Sequence, residues 1–416
     1  MRFEVSNIKL CNEFRLEVQS HVGKMILRAL QLPCSLFVKE CNLMSDSHTH
    51  SLSRRKFLRG ATAGTLAFSA PYVALSSART VGYAKGTSVH PNIDELRVVE
   101  AHDEKMTEGT RGRLSWEQQE SQVQWDRVQA NMDRMACALV KEKDPERAWK
   151  SIFLKPPGKS WSETTVAIKS NHQGVQRARS AVVSKLCHVL TDIAGVSGAN
   201  IAIYDGCHGG NMSKNTRFKK LPDGVKLANR WGSYNAKVGL PHPYVDGTGS
   251  SKCLDHLAKG EVDILIDLAL TKRVMMWAGG FTQLMKNHFG TFNPRPGHAK
   301  NGHDDYLIAI NKSSQILGKM DSSGKVQFPR QQLCMIDALW GSESGPGGTS
   351  THQLNRLYMG NMAPVVDYQV ATKLRADTMG WRINRDVTER FLTGFGYTAD
   401  DLPNDGQCID AIAYAG

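Results

Sequence analysis

Two near-continuous apolar runs, Thr-Thr-Val-Ala-Ile-Lys at 164–169 and Ala-Asn-Ile-Ala-Ile-Tyr at 199–204, bracket a segment of helical periodicity. Nothing else in the chain limits its fold so tightly. A strand without polar–apolar alternation is buried on both faces, the condition of a parallel strand covered by helices. Between the runs, Val175, Val182, Val183, Leu186, Val189, Leu190 and Ile193 recur at helical spacing, and Gly195 and Gly198 follow as stops. The three pieces predict a parallel βαβ unit with a right-handed crossover.

Further strands are predicted at 96–100, 262–266, 333–336 and 357–359. Helices are predicted at 281–288, 304–317 and 364–375, with Pro364 suited to the first turn of the last. Residues 115–141 also read as a helix, with Ser115 as N-cap and Gln118 at its N3 position. The expected fold class is α/β: three layers, a mostly parallel sheet with βαβ units, and an N-terminal helical extension over 114–150.

Ligands of open parallel sheets bind beyond the carboxyl ends of the strands. Those positions hold Lys169 and Asn171, then Asp205 and Gly206, then Asp267, then Asp337. Carboxylates at successive strand ends can move protons or gather a divalent metal. Any one of them can equally cap a helix or turn. Asp205, Asp337 and Asp367 are the candidate catalytic residues. Lys169, Asn171, Lys286 and Asn287 are candidates for holding an anionic cofactor, where a lysine acts as a point charge.

Gly206, and Gly345 and Gly347 in the Gly/Ser/Thr-rich loop 341–351, are candidates for backbone contact with that anion. The loop lacks the G-x-x-x-x-G-K-[ST] form, and a plain strand-to-strand connection is the competing reading. His298, His303 and Asp304 are candidate metal ligands, although their loop spacing is not diagnostic and Asp304 also suits a helix N-cap. Cys207 and His208 are adjacent, so in extended chain their side chains point apart, which argues against an activated thiolate.

The whole chain carries a net charge of +12, and residues 79–416 carry 42 Lys and Arg against 35 Asp and Glu. The basic residues are dispersed, and no basic–aromatic stripe marks a nucleic-acid site. Six cysteines follow residue 78, no two closer than 20 positions, which excludes C-x-x-C zinc and thioredoxin motifs and the local spacing of iron–sulfur ligands.

Ser53-Arg54-Arg55-Lys56-Phe57-Leu58-Arg59 precedes an uncharged run of 16 residues, 60–75. The pattern is that of a twin-arginine (Tat) export signal, whose cargo is already folded. The run falls short of the roughly 20 apolar residues of a membrane span. Small residues place cleavage after Ala78, with Gly82-Tyr83-Ala84 as a second site. Residues 1–43 do not suit a signal's lead-in, so translation is expected to begin at Met44, with 44–78 as the signal. Residues 79–95 are expected as a linker and 96–416 as one α/β domain. The implied partner is the Tat translocase, and the implied location is the periplasm or another extracytoplasmic space.

Several pieces occur in an order that resembles the domain of unknown function 362 family. They are Ala167-Ile168-Lys169-Ser170-Asn171, Ile203-Tyr204-Asp205-Gly206, Lys286-Asn287-His288-Phe289-Gly290, His298, Asp337, Ser344-Gly345-Pro346-Gly347-Gly348, and the run from Met359 to Asp367. The resemblance spans about Leu96 to Tyr397. It implies kinship with proteins of which some carry Tat signals and some are fused to ferredoxin-type modules, and it implies no reaction. The chain departs from the family at Lys272, where the histidine of a Lys-x-His is missing, and at Asn361, where an aspartate is usual.

Two functions follow as expectations. One is an exported, redox-linked enzyme with a divalent metal or an anionic cofactor at the strand ends. The other is a non-catalytic ligand-binding or assembly protein.

Overall fold

The computed structural model describes residues 81–109, 112–172, 176–206, 216–228, 232–244, 249–345 and 347–403. The expected export signal with Arg54 and Arg55, the proposed start at Met44, and Cys207, His208 and Cys408 lie outside them.

The strands are β1 (Val99–His102), β2 (Val166–Ser170), β3 (Ile201–Tyr204), β4 (Lys226–Ala228), β5 (Ala236–Gly239), β6 (Ser250–Cys253), β7 (Ile264–Thr271), β8 (Gly318–Met320), β9 (Val326–Pro329), β10 (Gln331–Gly341) and β11 (His352–Gly360). Seven of them form one sheet in the order β1-β11-β10-β7-β2-β3-β4. Pairing from β10 through β7, β2 and β3 to β4 is parallel, while β11 runs antiparallel to both β10 and β1. β5–β6 and β8–β9 are separate antiparallel pairs. The result is a mixed α/β fold.

The helices are α1 (Trp116–Gln122), α2 (Trp125–Val140), α3 (Pro145–Ile152), α4 (Ser180–His188), α5 (Asp255–Ala258), α6 (Leu284–Asn287), α7 (His303–Asn311), α8 (Ser314–Leu317), α9 (Ala363–Gln369) and α10 (Arg385–Gly394). Alternate residues of the central strands serve opposite faces, as the period of two requires. Ile168, Ile266 and Met335 pack with Met132, Met135 and Leu139 of α2, Trp149 of α3 and Leu186 of α4. Ala167, Leu265 and Ile336 pack with Leu284 of α6, Leu307 of α7, Val365 of α9 and Phe391 of α10. The sheet is thus sandwiched between two helical layers.

The helices expected as an N-terminal extension are part of one of these layers. Each large apolar side chain they bury contributes about 1.5–3 kcal/mol, against about 1 kcal/mol for a cap, so burial holds them in place. The predicted helix 115–141 is broken in two. Its Ser115–Gln118 capping box is present, but Glu108 N–H donates to Gln122 O at 2.8 Å and Gln124 N–H to Met106 O at 2.9 Å. These contacts draw Val123 into extended backbone. The predicted helices 304–317 and 364–375 are also interrupted, the second by a π-helical stretch at Val370–Thr378.

Residues 81–95, expected as a linker, are packed: Tyr83, Val89, His90 and Ile93 are buried. No helix among the described residues is long and apolar enough to cross a membrane.

Candidate functional site

Lys169 is fully buried near the carboxyl end of β2, on the same face as Ala167. Its ammonium donates to Ser170 O at 2.8 Å, Asp205 Oδ1 at 3.1 Å and Asn287 Oδ1 at 3.3 Å. Asp205 follows β3, and its other oxygen accepts the His172 N–H at 2.7 Å. Asn287 ends α6, and its amide nitrogen reaches Asp267 Oδ1 at 2.6 Å and the Lys169 and Leu268 carbonyls at 3.1 Å. One lysine and one asparagine therefore link β2, β3, β7 and α6.

Asp267 lies within β7 with no exposed surface, and its Oδ2 has no hydrogen-bond partner. Burial pushes its carboxyl up to about 7, opposed by the Asn287 hydrogen bond and the Lys169 charge. His288 Nε2 is 3.6 Å from Oδ2, close enough for an ion pair. Burial nevertheless drives that imidazole down to about 3, and its Nε2 is 3.1 Å from Gln331 Oε1. At 3.6 Å the Asp267 contact exceeds hydrogen-bond length. Low dielectric penalises the charged form of both groups, so between about pH 3 and pH 7 two neutral groups face each other here.

The other two expected catalytic aspartates lie elsewhere and fasten helix starts. Asp337 accepts the Arg179 N–H at 2.7 Å and the Leu339 N–H at 3.1 Å. Glu120 accepts the neighbouring Ser180 N–H at 2.8 Å. Together the two carboxylates cap the start of α4. Asp367, in α9, accepts the Leu284 and Met285 N–H groups at 2.9 and 2.8 Å and so caps α6. Burial raises the carboxyl pKa of both aspartates.

Asn171 Oδ1 accepts from Lys272 Nζ at 2.7 Å, and that buried ammonium also meets Gln176 O at 3.0 Å. A Cβ at Gly206 would lie 2.2 Å from the Gly290 carbonyl oxygen, so only glycine fits there. Lys286 is half-buried, its ammonium 5.4 Å from the Phe289 ring centroid. Gly345, at φ 95°, and Gly347 have open space around them.

Of the candidate metal ligands, His298 is exposed, with its ring edge-on to Phe289 at 4.9 Å. His303 is buried, its Nδ1 2.7 Å from Asp304 Oδ1 and its Nε2 without a partner. Among the described residues no three His, Cys, Asp or Glu side chains are grouped so as to hold a metal ion.

Arg375 is the residue that sequence reasoning passed over. It lies in the π-helical stretch and has no exposed surface. It reaches Thr271 Oγ1 at 3.2 Å, Ser342 O at 3.4 Å and Gly280 O at 3.4 Å. Thr271 and Ser342 mark the carboxyl ends of β7 and β10. Its Nε has no partner, and its guanidinium sits 4.7 Å from the Trp381 ring centroid. Burial pulls it down to about 10, with Glu343 opposing and Arg273 adding to the shift. Three long bonds to neutral oxygens leave a buried guanidinium short of the paired anion that such a group ordinarily finds. A basic residue in a helix is indistinct in sequence, and Arg375 carries no local signal of its role.

No protein-family model matches this chain, and no curated protein sequence matches it.

Proposed function

We propose that this is an exported protein of the domain of unknown function 362 type that binds a small anionic ligand or cofactor at the carboxyl ends of β2, β7 and β10. The observation that carries the reading is Arg375, a buried cation at the strand ends whose hydrogen bonds all go, at 3.2–3.4 Å, to neutral oxygens, beside its contact with the Trp381 ring. A carboxylate or phosphate oxygen would supply the charge-assisted partner it lacks. The Lys169–Asp205–Asn287 cluster is internally paired and ties β2, the residue after β3 and α6 together.

The test is thermal denaturation of the chain beginning at Arg79 with inorganic phosphate, pyrophosphate or citrate, each matched in ionic strength by sodium chloride. A ligand at about 100 times its Kd stabilises by about 2.7 kcal/mol. At least one anion is expected to raise Tm above its salt control. Arg375→Gln is expected to abolish the rise and Arg375→Lys to weaken it. If no anion exceeds its control, the reading is wrong. The absorption spectrum and metal content of the same preparation report any bound chromophore or ion.

A further inference from the structure

Residues 82–85 are clasped by three distant parts of the chain. Tyr83 is buried, and its N–H donates to Lys312 O at 3.2 Å. Its hydroxyl donates to Glu95 Oε2 at 2.7 Å, and the Tyr397 hydroxyl donates to Glu95 Oε1. The two hydroxyls are 2.5 Å apart, and the Tyr83 ring packs on Phe395 with centroids 5.9 Å apart. The Ala84 N–H donates to Gly324 O at 3.3 Å. Gly324 has φ 85°, and a Cβ there would lie 2.4 Å from Gly82 O, so the two backbones are in direct contact. Lys85 pairs with Asp401 at 3.1 Å and sits 5.1 Å from the Tyr397 ring centroid.

A signal peptidase needs the scissile bond and its flanks extended and free within its cleft. Susceptibility follows the burial and hydrogen bonding of the backbone to be cut. Cargo of the twin-arginine route folds before transport, so this clasp is in place when the signal is removed. We infer that cleavage falls upstream of Gly82, that the Gly82-Tyr83-Ala84 site is not used, and that residues 82–85 remain on the mature chain as a built-in clasp. The inference rests on the export reading for its cleavage step and on the contacts above for the clasp.

Two measurements keep these parts separate. The first is the intact mass of the exported product. It is expected to begin before Gly82, at Arg79 by the small-residue rule; a product beginning at Lys85 overturns the inference. Export of an Arg54→Lys, Arg55→Lys variant at the wild-type level would instead refute the export reading, and the cleavage step with it.

The second measurement compares chains made without a signal and beginning at Arg79 or at Lys85. Loss of Gly82, Tyr83 and Ala84, which leaves only the Lys85 part of the clasp, is expected to lower Tm by at least about 5 °C, and equal Tm values overturn the clasp. If the shorter chain does not fold, Tyr83→Phe in the longer one reads the same contact. Its expected loss is about 3 °C, and an unchanged Tm counts against the clasp.

Discussion

The Asn287 amide nitrogen donates to Asp267 Oδ1 at 2.6 Å, and this contact joins the end of a four-residue helix to the middle of the sheet. So short a helix has almost no stability of its own. It is held from both ends, by Asp367 on its first N–H groups and by Asn287 against Asp267 and Lys169.

Replacing Asn287 with alanine strips a partner from the Lys169 ammonium, the Asp267 carboxyl and the Lys169 and Leu268 carbonyls at once. The expected cost is about 3 kcal/mol of unfolding free energy, measured by urea denaturation. A loss below the error of extrapolation would show that the cluster contributes nothing to stability.

Asp267 makes stability depend on pH in a definite direction. Its carboxyl rises from 3.8 to about 7 on folding, so the folded state binds a proton that the unfolded state releases. Its stabilising contribution is therefore fully present below about pH 4 and is lost as pH rises through about 7. His288 and His172, both driven down to about 3 by burial, act oppositely. Their contribution is present above pH 6.5 and is lost as pH falls towards 3. Asp267→Asn keeps the shape of the neutral acid and removes its titration. The Tm of this variant minus that of the wild type is expected to grow between pH 5 and pH 8; a constant difference would contradict the assignment.

Lys169 and Asp205 are both buried and paired at 3.1 Å. Breaking such a pair from one side costs about 3–5 kcal/mol, because the remaining charge is stranded. Lys169→Met and Asp205→Asn are each expected to be strongly destabilising, and the double variant less so than the sum of the two. Additivity in a double-mutant cycle would show that the two charges do not depend on each other.

The described cysteines differ in access. Cys187, Cys253 and Cys334 are fully buried, and burial pushes the Cys253 thiol up to about 12. Cys137 is half-exposed, with its thiol raised by burial and by Asp133, Asp144 and Glu142. Native alkylation with N-ethylmaleimide, mapped by peptide mass, is expected to label Cys137 slowly and the three buried thiols only after unfolding. Rapid native labelling of Cys334 would mean that the sheet opens there.

The two strands and the helix between them were legible because the information is local, although the helix begins only at Ser180, turns π-helical from Val189 to Ala194, and its expected first residue, Val175, lies outside the described residues. Unbroken apolar runs specify doubly buried strands, and β2 and β3 pair in parallel as those runs require. The Ser115–Gln118 capping box was legible for the same reason. The site was legible only in part. Lys169, Asp205 and Asn287 meet, whereas Asp337, chosen by the same strand-end logic, and Asp367, which ends the run Met359–Asp367, serve as helix caps on separate elements. A carboxylate that caps a helix and one that faces a lysine look alike in a linear chain.

Local pattern marks the central strands as buried on both faces, since such burial erases the polar alternation that a half-exposed strand must keep. Long-range packing places β7 between β2 and β10, bringing Asp267 to Asn287, and lets Tyr83 share the Glu95 carboxylate with Tyr397. Side-chain period encodes which face of an element is apolar. Which elements become neighbours depends on packing both faces of the sheet at once, across contacts such as Tyr83 with Tyr397 that no local spacing can register.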